Sequence, residues 1–390
     1  MINTNVRYKT IVFACLLFSI SQLSMGLVFP SLPWIAKDFD IALEQAQWIV
    51  SVYLLGFGPS QFIYGPLSDV IGRKKVVLMG LTTGMFGLWI IVFHSSSFEW
   101  TLIGRFFQGL GMGCCLVLAN AAIRDSFKNH ELAIVLSYIA ITVSIVPIIA
   151  PVIGGVINHY FGWLVIFIVL LSYVSFACVI VAFSFPETMK QLKPTLDPKR
   201  VFREYRHLLT SRYFISFASL GWLNFTLLIT AVSVMSFIMQ NQIGMTSKEY
   251  AMWALIPASG LFIGAYVSRL GQPVLGRKNT LMAAYAFHMG AAIWLLNCPV
   301  EPLYLMFGLF LMVLGNGVSQ PCIQAMVMRP YKKQAGVAAA ALGGGEMLVA
   351  STISIFLIHL GVDQASHLSW VIIAFIIIAF LSITIGFMPH

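Results

Sequence analysis

Twelve near-continuous apolar stretches, separated by short charged or turn-rich breaks, decide most of what this chain can fold into. A helix needs about 20 apolar residues to cross the hydrocarbon core of a bilayer, and inside that core only structures that satisfy their own backbone hydrogen bonds persist. The stretches run approximately over 10–36, 45–67, 76–94, 98–124, 131–158 and 162–185, then 213–240, 247–270, 279–297, 302–328, 335–361 and 366–388. Only 9% of the 390 residues are charged, against roughly a quarter in soluble domains. Mean hydropathy is +0.89. These values exclude soluble enzymes, nucleic-acid binders and disordered scaffolds. A membrane barrel is excluded too, because its short alternating segments are absent. The first stretch follows Arg7 and Lys9 but runs on to Phe29 with no A-x-A site, so it reads as a retained helix. The expectation is an all-α integral membrane protein of twelve spanning helices.

Pro186 to Ser211 is the only long hydrophilic stretch. It divides the chain into residues 1–185, a connecting loop 186–211, and residues 212–390, each flank holding six helices. Basic residues test this map. Of the 23 Lys and Arg, 20 fall on the side that also carries both termini and the central loop. Lys37 and Lys248 lie opposite, and Arg105 lies within a helix. Positive loops stay cytoplasmic, so both termini are expected there. Within the loop, Val201, Phe202, Tyr205, Leu208 and Leu209 share one helical face and Arg200, Arg203, Glu204, Arg206 and His207 the other. This reads as an amphipathic helix on the inner leaflet, either sensing lipid or merely tethering the two flanks.

The flanks repeat. Gly72-Arg73-Lys74 recurs as Gly276-Arg277-Lys278, and Gly111-x-Gly113 as Gly315-x-Gly317, both at an offset of 204. Together with the charge map, this suggests two pseudo-symmetric six-helix bundles facing a midplane cavity.

Six cysteines lie in or beside apolar runs with no C-x-x-C pair, so neither a metal site nor a disulfide framework is indicated. No G-x-x-x-x-G-K-[ST] string occurs, so ATP is not the expected energy source. His130-Glu131 lacks the second His of a zinc-protease helix and no G-x-S-x-G is present, so an enzyme is not expected. No cofactor is expected.

The most specific string is Gly65-Pro66-Leu67-Ser68-Asp69-Val70-Ile71-Gly72-Arg73-Lys74. It resembles the G-x-L-a-D-r-x-G-r-k signature of the major facilitator superfamily, with Val70 in place of a basic residue. Arg105-Phe106-Phe107-Gln108-Gly109-Leu110-Gly111 is similar to the fourth-helix motif of drug:proton antiporters. Pro151-Val152-Ile153-Gly154-Gly155 resembles the end of the antiporter motif, with Ala150 where that motif has glycine. Pro30-Ser31-Leu32-Pro33 with Asp38, and Tyr53-Leu54-Leu55, Gln61 and Tyr64-Gly65-Pro66, resemble the Bcr/CflA/EmrD-type antiporters.

The resemblance implies a twelve-helix secondary transporter of a bacterial inner membrane. It would act as a monomer on small apolar or amphipathic compounds by exchange with protons, its partners being substrate, protons and lipid, and not nucleic acid. A dedicated exporter of one endogenous metabolite, such as a siderophore, is the alternative. Gly65, Asp69, Gly72, Arg73, Pro151, Gly154 and Gly155 would form the conformational gate. Asp69 and Arg73 would sit where the halves meet, and the prolines and glycines would let the fifth helix bend and pack closely.

Charges inside a membrane are costly and functional by default. Arg105 lies about five residues into its helix, so it either snorkels outward or serves coupling. Glu346 lies twelve residues beyond Gln334, about 18 Å at 1.5 Å per residue, near the midplane and out of snorkelling range. A carboxyl kept from water there can load and release a proton near neutral pH. The competing reading is a protonated structural acid. Gln22, Tyr53, Gln61 and Asn224 are the polar candidates for the substrate cavity. His288 is read as a packed core histidine.

Overall fold

A computed structural model of the full chain describes residues 4–127, 129–189, 195, 197–331 and 334–387. The first span is α1 (Thr4–Gly26), continued by a 3-10 turn (Phe29–Ser31) and α2 (Leu32–Asp38). Then follow α3 (Leu43–Ile71), α4 (Arg73–Phe93), α5 (Phe98–Ser126), α6 (Asn129–Phe161) and α7 (Trp163–Ser184). The second set begins after α8 (Pro198–Leu209) with α9 (Arg212–Phe237), which ends in a π turn (Ile238–Gln242). It continues through α10 (Ser247–Trp253), α11 (Leu255–Asn297), α12 (Pro302–Met328), α13 (Ala335–His359) and α14 (Ala365–Phe387).

Among the described residues, nine helical stretches are long and apolar enough to cross a bilayer. One of them, 51 residues over Ser247–Asn297, holds two crossings that meet at Gly276. Dividing it there and adding the 29-residue α3 and 33-residue α6 gives twelve crossings, close to the boundaries expected from sequence.

The repeat is structural. Gly72 and Gly276 have φ of 99° and 76°, a region closed to most side chains, and each lets the chain reverse into the next helix. Gly111 packs against Gly80 and Gly84, and Gly315 against Ala284 and His288. Gly113 lies on Phe57 and Ser60, and Gly317 on Leu261 and Gly264. Every one of these partners shifts by the same 204 positions, so both halves use one packing scheme. Two apolar cores result, one built mainly from residues 13–185 and the other from 205–383.

The connecting segment departs from the simplest expectation. Asp197 caps α8 by accepting from the Lys199 and Arg200 backbone amides. Its apolar face does not lie wholly on lipid. Tyr205 and Leu208 are buried in the second core, and the Tyr205 ring meets Phe62 of α3 edge-on at 5.0 Å. Phe202 and Leu209 stay exposed. The helix is docked on the protein along one edge of that face, where burying an aromatic ring competes with burying it in the interface.

Candidate transport site

A cavity of about 1040 Å³ lies between the halves and opens at the end of the molecule that carries the basic loops. Gln61, Gly65, Asp69 and Arg73 from α3 and α4 stand on one wall, and Gln324 and Glu346 from α12 and α13 on the other. Thr195, Asp197, Arg200, Val201, Glu204 and Tyr205 bring the connecting segment to its mouth.

Glu346 is positioned by glycines. Gly343 lies against Gln61, Gly344 against Gly58 and Phe62 of α3, and Gly345 against the Trp222 indole of α9. The indole also donates to the Leu342 carbonyl at 3.0 Å. With no side chains in the way, α3 and α9 clasp α13 from both sides and hold the carboxyl at the cavity wall. Gln320 on α12 is its polar neighbour, and Glu346 Oε1 lies 3.0 Å from where a Cβ on Gly221 would stand.

At the opposite end the halves are joined. Ser236 donates to the Phe29 carbonyl at 2.9 Å, and Gln240 Nε2 to the Pro30 carbonyl at 3.0 Å. Trp34 Nε1 donates to Gln240 Oε1 at 3.1 Å. Ser351 donates to the Ser51 carbonyl at 2.9 Å, and Gln47 to Ser354 at 3.4 Å. Gly155 faces Ser247 and Ala251, and Ser247 donates to its carbonyl at 3.2 Å. A side chain at Gly155 would push α10 away. Gly154 sits on the Leu27 backbone of the first span, and Pro151 lies one turn earlier on α6. The cavity is therefore open at one end and sealed at the other.

Asp69 and Arg73 are together. Arg73 pairs with Asp69 at 2.8 Å and with Asp125 of α5 at 2.9 Å, and donates to Ser68. Glu187, just beyond α7, accepts from the Arg73 and Lys74 backbone amides at 3.0 and 3.2 Å, and lies against Gly72. Asp69, Arg73 and Asp125 belong to the first half, and Glu187 stands at the start of the connecting loop. With the cavity open, the cluster clamps α3, α4 and α5 to one another. Gly65 lines the cavity and has only an ordinary contact with Val117.

Arg105 does not snorkel. It is fully buried, donating Nε to the Ile49 carbonyl at 3.0 Å and Nη1 to Gln108 Oε1 at 2.7 Å. Its guanidinium stacks over Tyr53 at 4.2 Å. These contacts lie within the first half, and the structure does not bring Arg105 to Glu346. Of the cavity candidates only Gln61 stands on the wall. Tyr53 is buried beneath Arg105, Asn224 is buried against Ser319 at 2.9 Å, and half-buried Gln22 is not among the lining residues. Asp125, Glu187, Gln240 and Gln320 carry no motif signal and become visible only through their long-range partners.

Residues 14–352 match the Major Facilitator Superfamily. Among curated proteins, the chain is 26% identical over 337 residues to the multidrug resistance protein MdtL of Citrobacter koseri, covering 86% of this chain and 85% of that one. Its fold is similar to that of a bacterial homolog of the human lysosomal transporter Spinster, solved inward-facing and unoccupied, with TM-score 0.74 at 12% identity over 99% of this chain and 97% of that one. It is also similar to a mutant of the nucleoside transporter NupG, with TM-score 0.75 at 11% identity over 97% of this chain and 99% of that one. Two six-helix sets on one repeated packing scheme, around a cavity open at one end, agree with that match, and the chain belongs to the Major Facilitator Superfamily.

Proposed function

We propose that this protein is a proton-coupled exporter of small, largely apolar or amphipathic compounds, working by alternating access across a bacterial inner membrane with both termini in the cytoplasm. The observation that carries the reading is the one-ended cavity with a carboxyl, Glu346, on its wall near the bilayer midplane. In this inward-open form a compound entering from the cytoplasm would reach Glu346 and displace its proton. Closure of the mouth and release of the opposite seal would expose the carboxyl to the outside, where protonation lowers affinity and frees the compound. The relatives' name, multidrug resistance protein, supports varied substrates over a single metabolite. Apolar lining from Phe18, Leu116, Val117, Val337 and Leu342 beside charged groups suits amphipathic compounds.

Bacterial cells lacking their own efflux systems, loaded with a fluorescent lipophilic dye, test the reading. Expression of this chain should speed dye loss in energised cells, and a protonophore should abolish the difference. Equal dye loss with and without the protein would reject export.

Orientation has its own test. A reporter joined after His390, which lies outside the described residues, should be active only in the cytoplasm. Activity only outside it would overturn the topology.

The outer seal makes a further prediction. Gln240→Ala removes two hydrogen bonds that join the π turn after α9 to Pro30 and to Trp34 of α2, worth about 1–2 kcal/mol together. A thiol probe at Ser31→Cys, on this buried turn, should then react about 5–30-fold faster. An unchanged labelling rate would show that these bonds do not hold the seal.

A further inference from the structure

The second half holds a polar layer that the first half lacks. His288 (1% exposed) sits between α11, α12 and α9 with its Nδ1 2.9 Å from the Ala284 carbonyl and its Nε2 3.0 Å from Asn316 Oδ1. Asn316 Nδ2 faces the Asn224 carbonyl at 3.5 Å, Asn224 Nδ2 donates to Ser319 at 2.9 Å, and Ser319 donates back to the Asn316 carbonyl at 3.1 Å. The offset of 204 gives the counterparts in the first half: Gly84 for His288, Met112 for Asn316, Ile20 for Asn224 and Cys115 for Ser319. Ile20, Met112 and Cys115 are fully buried, and the end of Met112 lies against Gly84. One packing scheme is thus filled by apolar groups in one half and by a histidine with two amides in the other. Packing alone does not call for the polar version, and burying such groups is costly.

Donor counting says what the layer does. A carbonyl oxygen only accepts, so the Nδ1 that faces Ala284 carries a hydrogen. On a neutral ring Nε2 then only accepts and needs the Asn316 amide nitrogen. On a charged ring Nε2 donates and needs the amide oxygen. A half-turn of Asn316 serves either state, so the site accommodates the ring with or without its second proton. Among the described residues no ion pair to His288 offsets a fixed charge. Tyr285 of α11, its ring 5.4 Å away, is a neighbouring titratable group, while Asn316 of α12 and Asn224 of α9 bring neutral amides. The next residue along α12 after Ser319 is Gln320, the neighbour of Glu346.

We propose that His288 is a second proton-carrying site, linked to Glu346 through the 316–320 segment of α12. The proposal rests on the reading that transport is proton-coupled. In the step, the neutral ring takes a proton from hydronium at Nε2 when the site is opened to water and returns it to water before reclosure, while Asn316 turns to match and no other bond changes.

The test is nitrogen NMR of the full-length protein, 15N-labelled at histidine, in lipid nanodiscs, with the His288 signals assigned by their loss in His288→Gln. In wild type the ring nitrogens should pass from the imidazolium to the neutral pattern as pH is raised. In Glu346→Gln the midpoint should shift, because Gln320 loses its carboxyl partner and the 316–320 segment that holds Asn316 is altered. Asn316→Leu, which removes the turning amide, should hold the ring neutral throughout. A single neutral tautomer in wild type at every pH would overturn the proposal, and so would a midpoint indifferent to Glu346→Gln. If dye efflux by Glu346→Gln cells stays protonophore-sensitive while His288 titrates, the coupling role of Glu346 fails and that of His288 stands. If that efflux loses its proton dependence while His288 stays neutral, the reverse holds.

Discussion

Glu346→Gln abolishes substrate-driven proton release. In detergent-solubilised wild type, adding a transported compound should acidify a weakly buffered medium as the carboxyl loses its proton to make room. The amide has the shape of the protonated acid but no proton to give, so release should fall to background even where ligand still binds. Glu346→Asp should keep partial release with a displaced pH optimum, because the acid remains while its reach shortens by one methylene. The geometry makes the effect large: Glu346 is the carboxyl that α13 presents to the cavity wall, held there by the clasp at Gly343–Gly345. Release undiminished in the Gln variant would transfer the role to another group, and Asp38, which accepts from Trp163 Nε1 at 2.6 Å, would be the next to test.

Arg73→Ala should impair transport about 10-fold or more while leaving membrane insertion intact. The guanidinium neutralises Asp69 and Asp125 at once and is itself only 8% exposed. Its loss leaves two carboxylates facing each other at the cavity mouth, a penalty of about 1–3 kcal/mol, or roughly 5–150-fold in an equilibrium between two conformations. Asp69→Asn removes one partner and leaves the other, so a smaller loss is expected. Arg73→Lys should restore part of the rate, since one ammonium cannot make the forked contact to both acids. Wild-type dye efflux from the Ala variant would show that the cluster does not bias the cycle.

What the sequence carried, and what it did not, follows from the range of the forces involved. The twelve crossings were legible because each is a local consequence of hydropathy, and Gly72 and Gly276 because a positive φ selects glycine wherever it occurs. Arg73 was visible as part of a motif, yet its partners were not. Asp125 and Glu187 are 52 and 114 residues away, and Asp125 stands beside Arg124, which disguises it as a loop charge. The amphipathic face of α8 could equally have met lipid or protein, since both bury apolar surface, and only the position of Phe62 decides it. Arg105 could have snorkelled by its depth alone. Its burial depends on the Ile49 carbonyl and the Tyr53 ring arriving from another helix. Asn224 and Tyr53 were polar groups at cavity depth whose rotation about the helix axis no periodicity could fix.

Proton-coupled export is the central claim, and transport in sealed proteoliposomes under an imposed pH gradient tests it most directly. With the purified protein reconstituted and no other energy source, a lipophilic dye should move against its own gradient toward the acidic compartment, and the movement should stop when a protonophore collapses the gradient. Dye distribution that ignores the gradient, or that follows protons in the same direction, would contradict the account.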